Sequence, residues 1–81
     1  SELARRRLVA QAESAELARD WPAALQATQA LVALDPLRED AHRRLIRVHY
    51  LAGDSAAALQ AFDVARGGGT AVVLAERPGR A

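Results

Sequence analysis

Residues 19–27 read Arg-Asp-Trp-Pro-Ala-Ala-Leu-Gln-Ala, and residues 53–61 read Gly-Asp-Ser-Ala-Ala-Ala-Leu-Gln-Ala. Six of the nine positions coincide without a gap, at an offset of 34 residues. An alanine-rich chain gives alanine matches by chance, but not Asp20 with Asp54, Leu25 with Leu59 and Gln26 with Gln60 together. A period of this length belongs to units of two antiparallel helices, stacked so that each unit covers the apolar face of the next. The local signals agree. Asp20 and Asp54 stand where a carboxylate accepts a free backbone N–H at a helix start and meets the positive end of the helix dipole. Pro22 falls in the first turn, where its missing N–H costs little. Gly53 suits the left-handed position that closes a helix.

Working outward, Asp35-Pro36 ends one helix and can open another, because the residue before proline is pushed out of the α region. These marks predict four helices, at about 2–18, 21–34, 37–52 and 55–66, joined by loops so short that neighbours run antiparallel. The apolar spacing follows. Leu8, Ala12 and Ala15 mark the first helix, small enough for close approach, and Leu25, Thr28, Leu31 and Val32 mark the second. The third carries Leu37, Ala41, Leu45, Val48 and Ala52, with Ile46 and Tyr50 on a second flank, and is expected to be central. Ala58, Leu59, Phe62 and Ala65 mark the fourth. The expected fold class is all-α: a tetratricopeptide-like, right-handed stack of two antiparallel helical hairpins over residues 1–66.

Residues 67–81 read as a Gly-rich linker and apolar tail. Gly67-Gly68-Gly69 cannot prolong a helix cheaply, at roughly 1 kcal/mol per glycine against alanine. Thr70 then precedes Ala71-Val72-Val73-Leu74-Ala75-Glu76, which is either a short Thr70-capped helix covering the end of the stack or a β-prone segment. The helix is the favoured alternative.

Composition removes several classes of function. There is no cysteine, hence no disulfide, thiolate nucleophile or Cys-ligated metal. Alanine fills 20 of the 81 positions and Phe, Trp and Tyr occur once each, a helical bias. All 11 basic side chains are arginine, against 10 acidic ones, and the net charge of +1 is too balanced for binding driven by bulk charge. No apolar run approaches the roughly 20 residues of a membrane span, and no secretory signal is visible. The glycine run lacks the Lys-Ser/Thr and the preceding strand of a phosphate loop. No cofactor and no catalysis are expected. His42 and His49 are two helical turns apart, about 10 Å, too far to share one metal ion. Arg5-Arg6-Arg7 has no interleaved aromatics, so nucleic-acid readout by this chain is not expected. Starting at Ser1 and not at Met, the sequence reads as a piece of a longer protein.

The stretch 31–59, LVALDPLREDAHRRLIRVHYLAGDSAAAL, carries a more specific signature. Plain tetratricopeptide repeats share Asp35-Pro36 and Gly53-Asp54, but not the run Leu37-Arg38-Glu39-Asp40-Ala41-His42. With the Leu51-Ala52 turn and the Ala58-Leu59 pair, that run resembles the bacterial transcriptional activator domain. This is the tetratricopeptide-like domain of actinobacterial antibiotic regulatory proteins and related activators, and the resemblance covers about residues 15–66. It departs at the end, where Arg66 meets three glycines and only Glu76-Arg77-Pro78 echoes the family's ending.

The resemblance implies a non-catalytic interaction and oligomerisation module of a cytoplasmic transcriptional activator. DNA would be bound by a winged-helix domain of the parent protein, outside these residues. The alternative is a generic repeat scaffold of a signalling ATPase or another multidomain regulator. The repeat register implies a partner-binding groove at Asp40, Arg43, Arg47, Tyr50 and Leu51, joined by Arg6, Val9, Glu13 and Glu16. Arg43 and Arg47, four apart, would meet a partner's carboxylate, or else form a solvated face paired with Glu39 and Asp40. Trp21 is expected to pack between helices, or to anchor an interface. Two repeats leave an apolar end, so self-association is expected through Phe62, Ala65, Val72, Val73 and Leu74.

Overall fold

The computed structural model describes residues 1–67, which form helices α1 (Glu2–Leu17), α2 (Trp21–Leu34), α3 (Glu39–Leu51) and α4 (Ser55–Ala65). The described residues contain no strand. The helices pack in chain order, α1 on α2, α2 on α3 and α3 on α4, as a stack of two hairpins does. The expected capping helix at Thr70–Glu76 lies outside the described residues.

The repeated nonapeptide folds into a repeated turn. At the end of α1 the Asp20 N–H donates to the Ala15 carbonyl at 2.9 Å and the Arg19 N–H to Glu16 at 3.0 Å. Thirty-four residues on, the Asp54 N–H donates to His49 at 3.0 Å and the Gly53 N–H to Tyr50 at 3.0 Å. Each pair satisfies two carbonyls that a helix end leaves free, and it requires a left-handed residue just past the cap. Those residues are Arg19, with φ 58°, and Gly53, with φ 87°. The chain then re-enters a helix at once. Asp20 Oδ1 accepts from the Ala23 N–H at 3.3 Å, and Asp54 Oδ1 from the Ala57 N–H at 3.0 Å. Caps of this kind are worth about 1 kcal/mol each.

The joint between the hairpins differs from the expectation. Helix α3 begins at Glu39 and not at residue 37, because Asp35 builds a turn around Pro36. The Asp35 carbonyl accepts from the Arg38 N–H at 3.1 Å, and its side chain accepts from the Leu37 N–H at 3.3 Å. Leu37 is therefore outside the helix and 93% exposed, not the first member of the α3 apolar stripe. That stripe runs through the buried Ala41, the half-buried Leu45 and the buried Val48. Nor is α3 alone central: α2 also has a neighbour on each side.

The core is built mostly from alanine. Ala12 and Ala15 of α1 are buried, as are Ala24, Ala27, Thr28 and Leu31 of α2. Ala15, Ala24 and Val48 form its centre, and Trp21, Ala23 and Leu25 pack against them. Thr28 has no exposed surface, and its hydroxyl donates to the Ala24 carbonyl at 2.7 Å. Small side chains let helices approach closely, but each buries little apolar area, so caps and turns carry an unusual share of the stability.

The two left-handed residues give a paired prediction. A Cβ at Gly53 would meet nothing within 4 Å, so only the backbone opposes a side chain there. Gly53→Ala is expected to lower the unfolding free energy by about 1 kcal/mol, and Arg19→Gly to raise it by about 1 kcal/mol. Urea unfolding of the two variants beside the parent chain measures both.

Candidate functional site

Helices α1 and α3 are the first helices of the two hairpins, and they bring opposite charges together. On α1, Glu13, Glu16 and Leu17 share one side, at spacings of three and four residues. On α3, Arg44, Arg47 and Leu51 do the same. One Glu16 oxygen accepts from Arg44 at 2.7 Å, and the other accepts from Arg47, also at 2.7 Å. Glu13 stands 3.7 Å from Arg44 as a looser partner. The Glu16 and Arg44 side chains keep only 15% and 19% of their surface exposed, so this cluster is better shielded than an ordinary surface pair.

Beside it lies an open cleft of about 580 Å³, lined by those charged residues together with Leu17, Leu51, Trp21 and Arg19. The turn that closes α1 delivers the last two. Trp21 is the first residue of α2, and the left-handed Arg19 lies two residues before it. Trp21 packs on the core, the first of the two alternatives expected for it, and it also lines the cleft.

Burial is the largest single influence on the Glu16 carboxyl and opposes its ionisation. The hydrogen bonds from Arg47 and Arg44, with their charges, outweigh it and hold the pKa below the ordinary 4.5. The exposed Asp40 is also lowered, chiefly by its hydrogen bond from Arg38, and Glu2 by its bond from Arg5.

Of the five groove positions, the structure brings Arg47 and Leu51 to the cleft, with Glu13 and Glu16 opposite. Arg43 instead pairs along its own helix with Glu39 at 3.4 Å, Asp40 pairs with Arg38 at 3.3 Å, and Tyr50 is exposed. The arginine pair that meets a carboxylate is Arg44 with Arg47, and the carboxylate is the chain's own. On α1, Val9 is half-buried and Arg6 pairs with Glu2 at 3.3 Å. His42 Nε2 lies 2.6 Å from the Pro36 carbonyl and ties the turn to α3. No group of three potential metal ligands is gathered among the described residues. No described helix is long and apolar enough to cross a membrane. Of the end-face positions, Phe62 and Ala65 are exposed on α4, and Val72, Val73 and Leu74 lie outside the described residues.

Sequence reasoning missed Arg44, Arg19 and Leu17 as cleft residues. A signal for the first was present: Glu13 and Arg47 are one repeat apart with opposite charge, which marks adjacent first helices that attract each other. Nothing in the sequence marks Arg19, since the matching turn uses glycine.

Glu16→Gln is expected to cost about 1–2 kcal/mol at pH 7, because it removes charge from two short hydrogen bonds between hairpins. A carboxyl whose folded pKa is depressed stabilises fully above its unfolded value of 4.5 and loses that contribution as pH falls through the folded value. Thermal unfolding from pH 7 to pH 3 should therefore show a steeper loss below pH 4.5 for the parent chain than for Glu16→Gln. Glu39→Gln, in an exposed pair, should change stability by less than about 0.5 kcal/mol.

Among known proteins, the family model described as "Bacterial transcriptional activator domain" matches residues 1–68. No curated protein and no solved structure matches the chain. The family match reaches upstream of the stretch that carried the resemblance and takes in all of α1, whose Glu16 holds the two hairpins together. It ends inside the glycine run. Four helices in two capped hairpins, with a family match over more than four-fifths of the length, place this chain in the bacterial transcriptional activator domain family.

Proposed function

We propose that this chain is the protein-interaction and self-association module of a bacterial transcriptional activator, a non-catalytic part of a cytoplasmic protein whose DNA-binding domain lies elsewhere. The observation that carries the reading is the contrast between equivalent positions of the two hairpins. Thr28 of α2 has no exposed surface, whereas Phe62, 34 residues later, is 44% exposed. Leu25 is half-buried, and its counterpart Leu59 is 63% exposed. The second hairpin covers the first, and among the described residues nothing equivalent covers the second. Arg66 lies over the Phe62 ring at 5.5 Å, which shields one side of it only.

A helix face left in this condition is suited to a second protein surface. Phe62 and Ala65 form the described part of the proposed self-association face, and Val72, Val73 and Leu74 complete the proposal. The α1/α3 side supplies a separate surface for a partner, through Arg47 and Leu51 at the cleft, with Asp40, Arg43 and Tyr50 beside it.

Light scattering on the 81-residue chain tests self-association. The expected result is a species of at least twice the monomer mass at high micromolar concentration, which Phe62→Asp converts to monomer while the helical circular dichroism persists. A parent chain that stays monomeric over the whole range overturns the self-association part.

A further inference from the structure

The charges around the cleft do not cancel. Glu16 has given both oxygens to Arg44 and Arg47, and the nearest arginine to Glu13 is again Arg44. Arg19 lines the same cleft and makes no ion pair among the described residues. Three arginines thus line the cleft with two carboxylates, and one positive charge is left over among the described residues.

Arg19 is also the strained residue of the structure, the one non-glycine at positive φ among the described residues. The equivalent turn at the end of α3 is made by Gly53 with the same hydrogen bonds. An arginine is therefore not what the turn requires. Strain held at the edge of a cleft points to a use for the side chain. Next to Arg19 stand the chain's only tryptophan and two exposed leucines, Leu17 at 88% and Leu51 at 47%. Tryptophan and arginine beside exposed apolar surface are the side chains that dominate binding hot spots.

We propose that this cleft docks an acidic, apolar segment of a partner protein. An Asp or Glu carboxylate pairs with Arg19, and the neighbouring large apolar side chain lies on Trp21 between Leu17 and Leu51. The volume, about 580 Å³, takes one such side chain with its backbone. The surplus charge selects against basic segments. The proposal rests on the interaction reading above and names the chemistry of the partner.

Trp21, as the sole tryptophan, reports occupancy through its fluorescence. The probe is a capped synthetic decapeptide of alternating glutamate pairs and leucines, compared with its Gln-for-Glu and Lys-for-Glu counterparts. The expected result is a saturable blue shift of Trp21 emission with the acidic peptide alone, weakening as salt rises. Arg19→Gly should weaken binding about tenfold. It relieves backbone strain, so lost folding cannot explain lost binding. Arg7→Ala, on α1 away from the cleft, should leave affinity unchanged.

The proposal is overturned if the acidic peptide binds no better than its counterparts, or if Arg19→Gly leaves affinity intact. A loss with Arg43→Ala and none with Arg19→Gly would place docking along α3, which defeats the cleft proposal and leaves the interaction reading standing. A Trp21 shift that depends on chain concentration without peptide would make a second copy the occupant, and would likewise defeat it.

Discussion

The shape of the α1/α3 side depends on one carboxylate. Glu16 reaches from the first hairpin to two arginines of the second, three residues apart on α3, and bonds each at 2.7 Å. The helices pack in chain order, and Ala15 of α1 and Val48 of α3 belong to one buried cluster with Ala24 of α2. The Glu16 cluster adds a polar link between the two first helices. It also shapes the electrostatics of the cleft, because it occupies Arg44 and Arg47 internally and leaves Arg19 as the cleft arginine without an ion pair among the described residues. A groove expected to offer two guanidinium groups to a partner's carboxylate offers them to its own.

The second constraint is the turn used twice. A left-handed residue followed by a capping aspartate reverses the chain in three residues, and this sets how closely each hairpin can close. Alanine at Ala12, Ala15, Ala24 and Ala27 exploits that closeness, at the expense of buried apolar area. A core of this kind is thin, and among the described residues Leu59 and Phe62 of the last helix are exposed. Under the proposed self-association, covering that end would add apolar burial, so stability and association would rise together.

Much of this was legible in the sequence. The 34-residue repeat located both turns, both aspartate caps and the glycine at the second turn, because these are local features with fixed chemistry. The start of α3 was not legible to within two residues. Asp35 can end a helix, cap the next or build a turn around Pro36, and the structure takes the turn, which removes Leu37 from the stripe. The cleft was half legible. The register identified Arg47, Leu51, Glu13 and Glu16 as neighbours, but pairing depends on which arginine of three lies opposite Glu16. Helical periodicity alone does not separate Arg43 from Arg44. Arg19 was invisible, because its conformation is imposed by the turn and contradicts its residue type.

The most direct test of the account is a double-mutant cycle between Glu16 and Arg47, using Glu16→Gln and Arg47→Met and reading unfolding free energy in urea at pH 7. If the Glu16 cluster joins the hairpins as described, the coupling energy should be about 1 kcal/mol or more. It should fade in acid, where Glu16 is protonated. A coupling near zero at pH 7, with the two single changes simply adding, would contradict it. The first helices would then be held by packing alone, and the cleft would lose the tie that defines it.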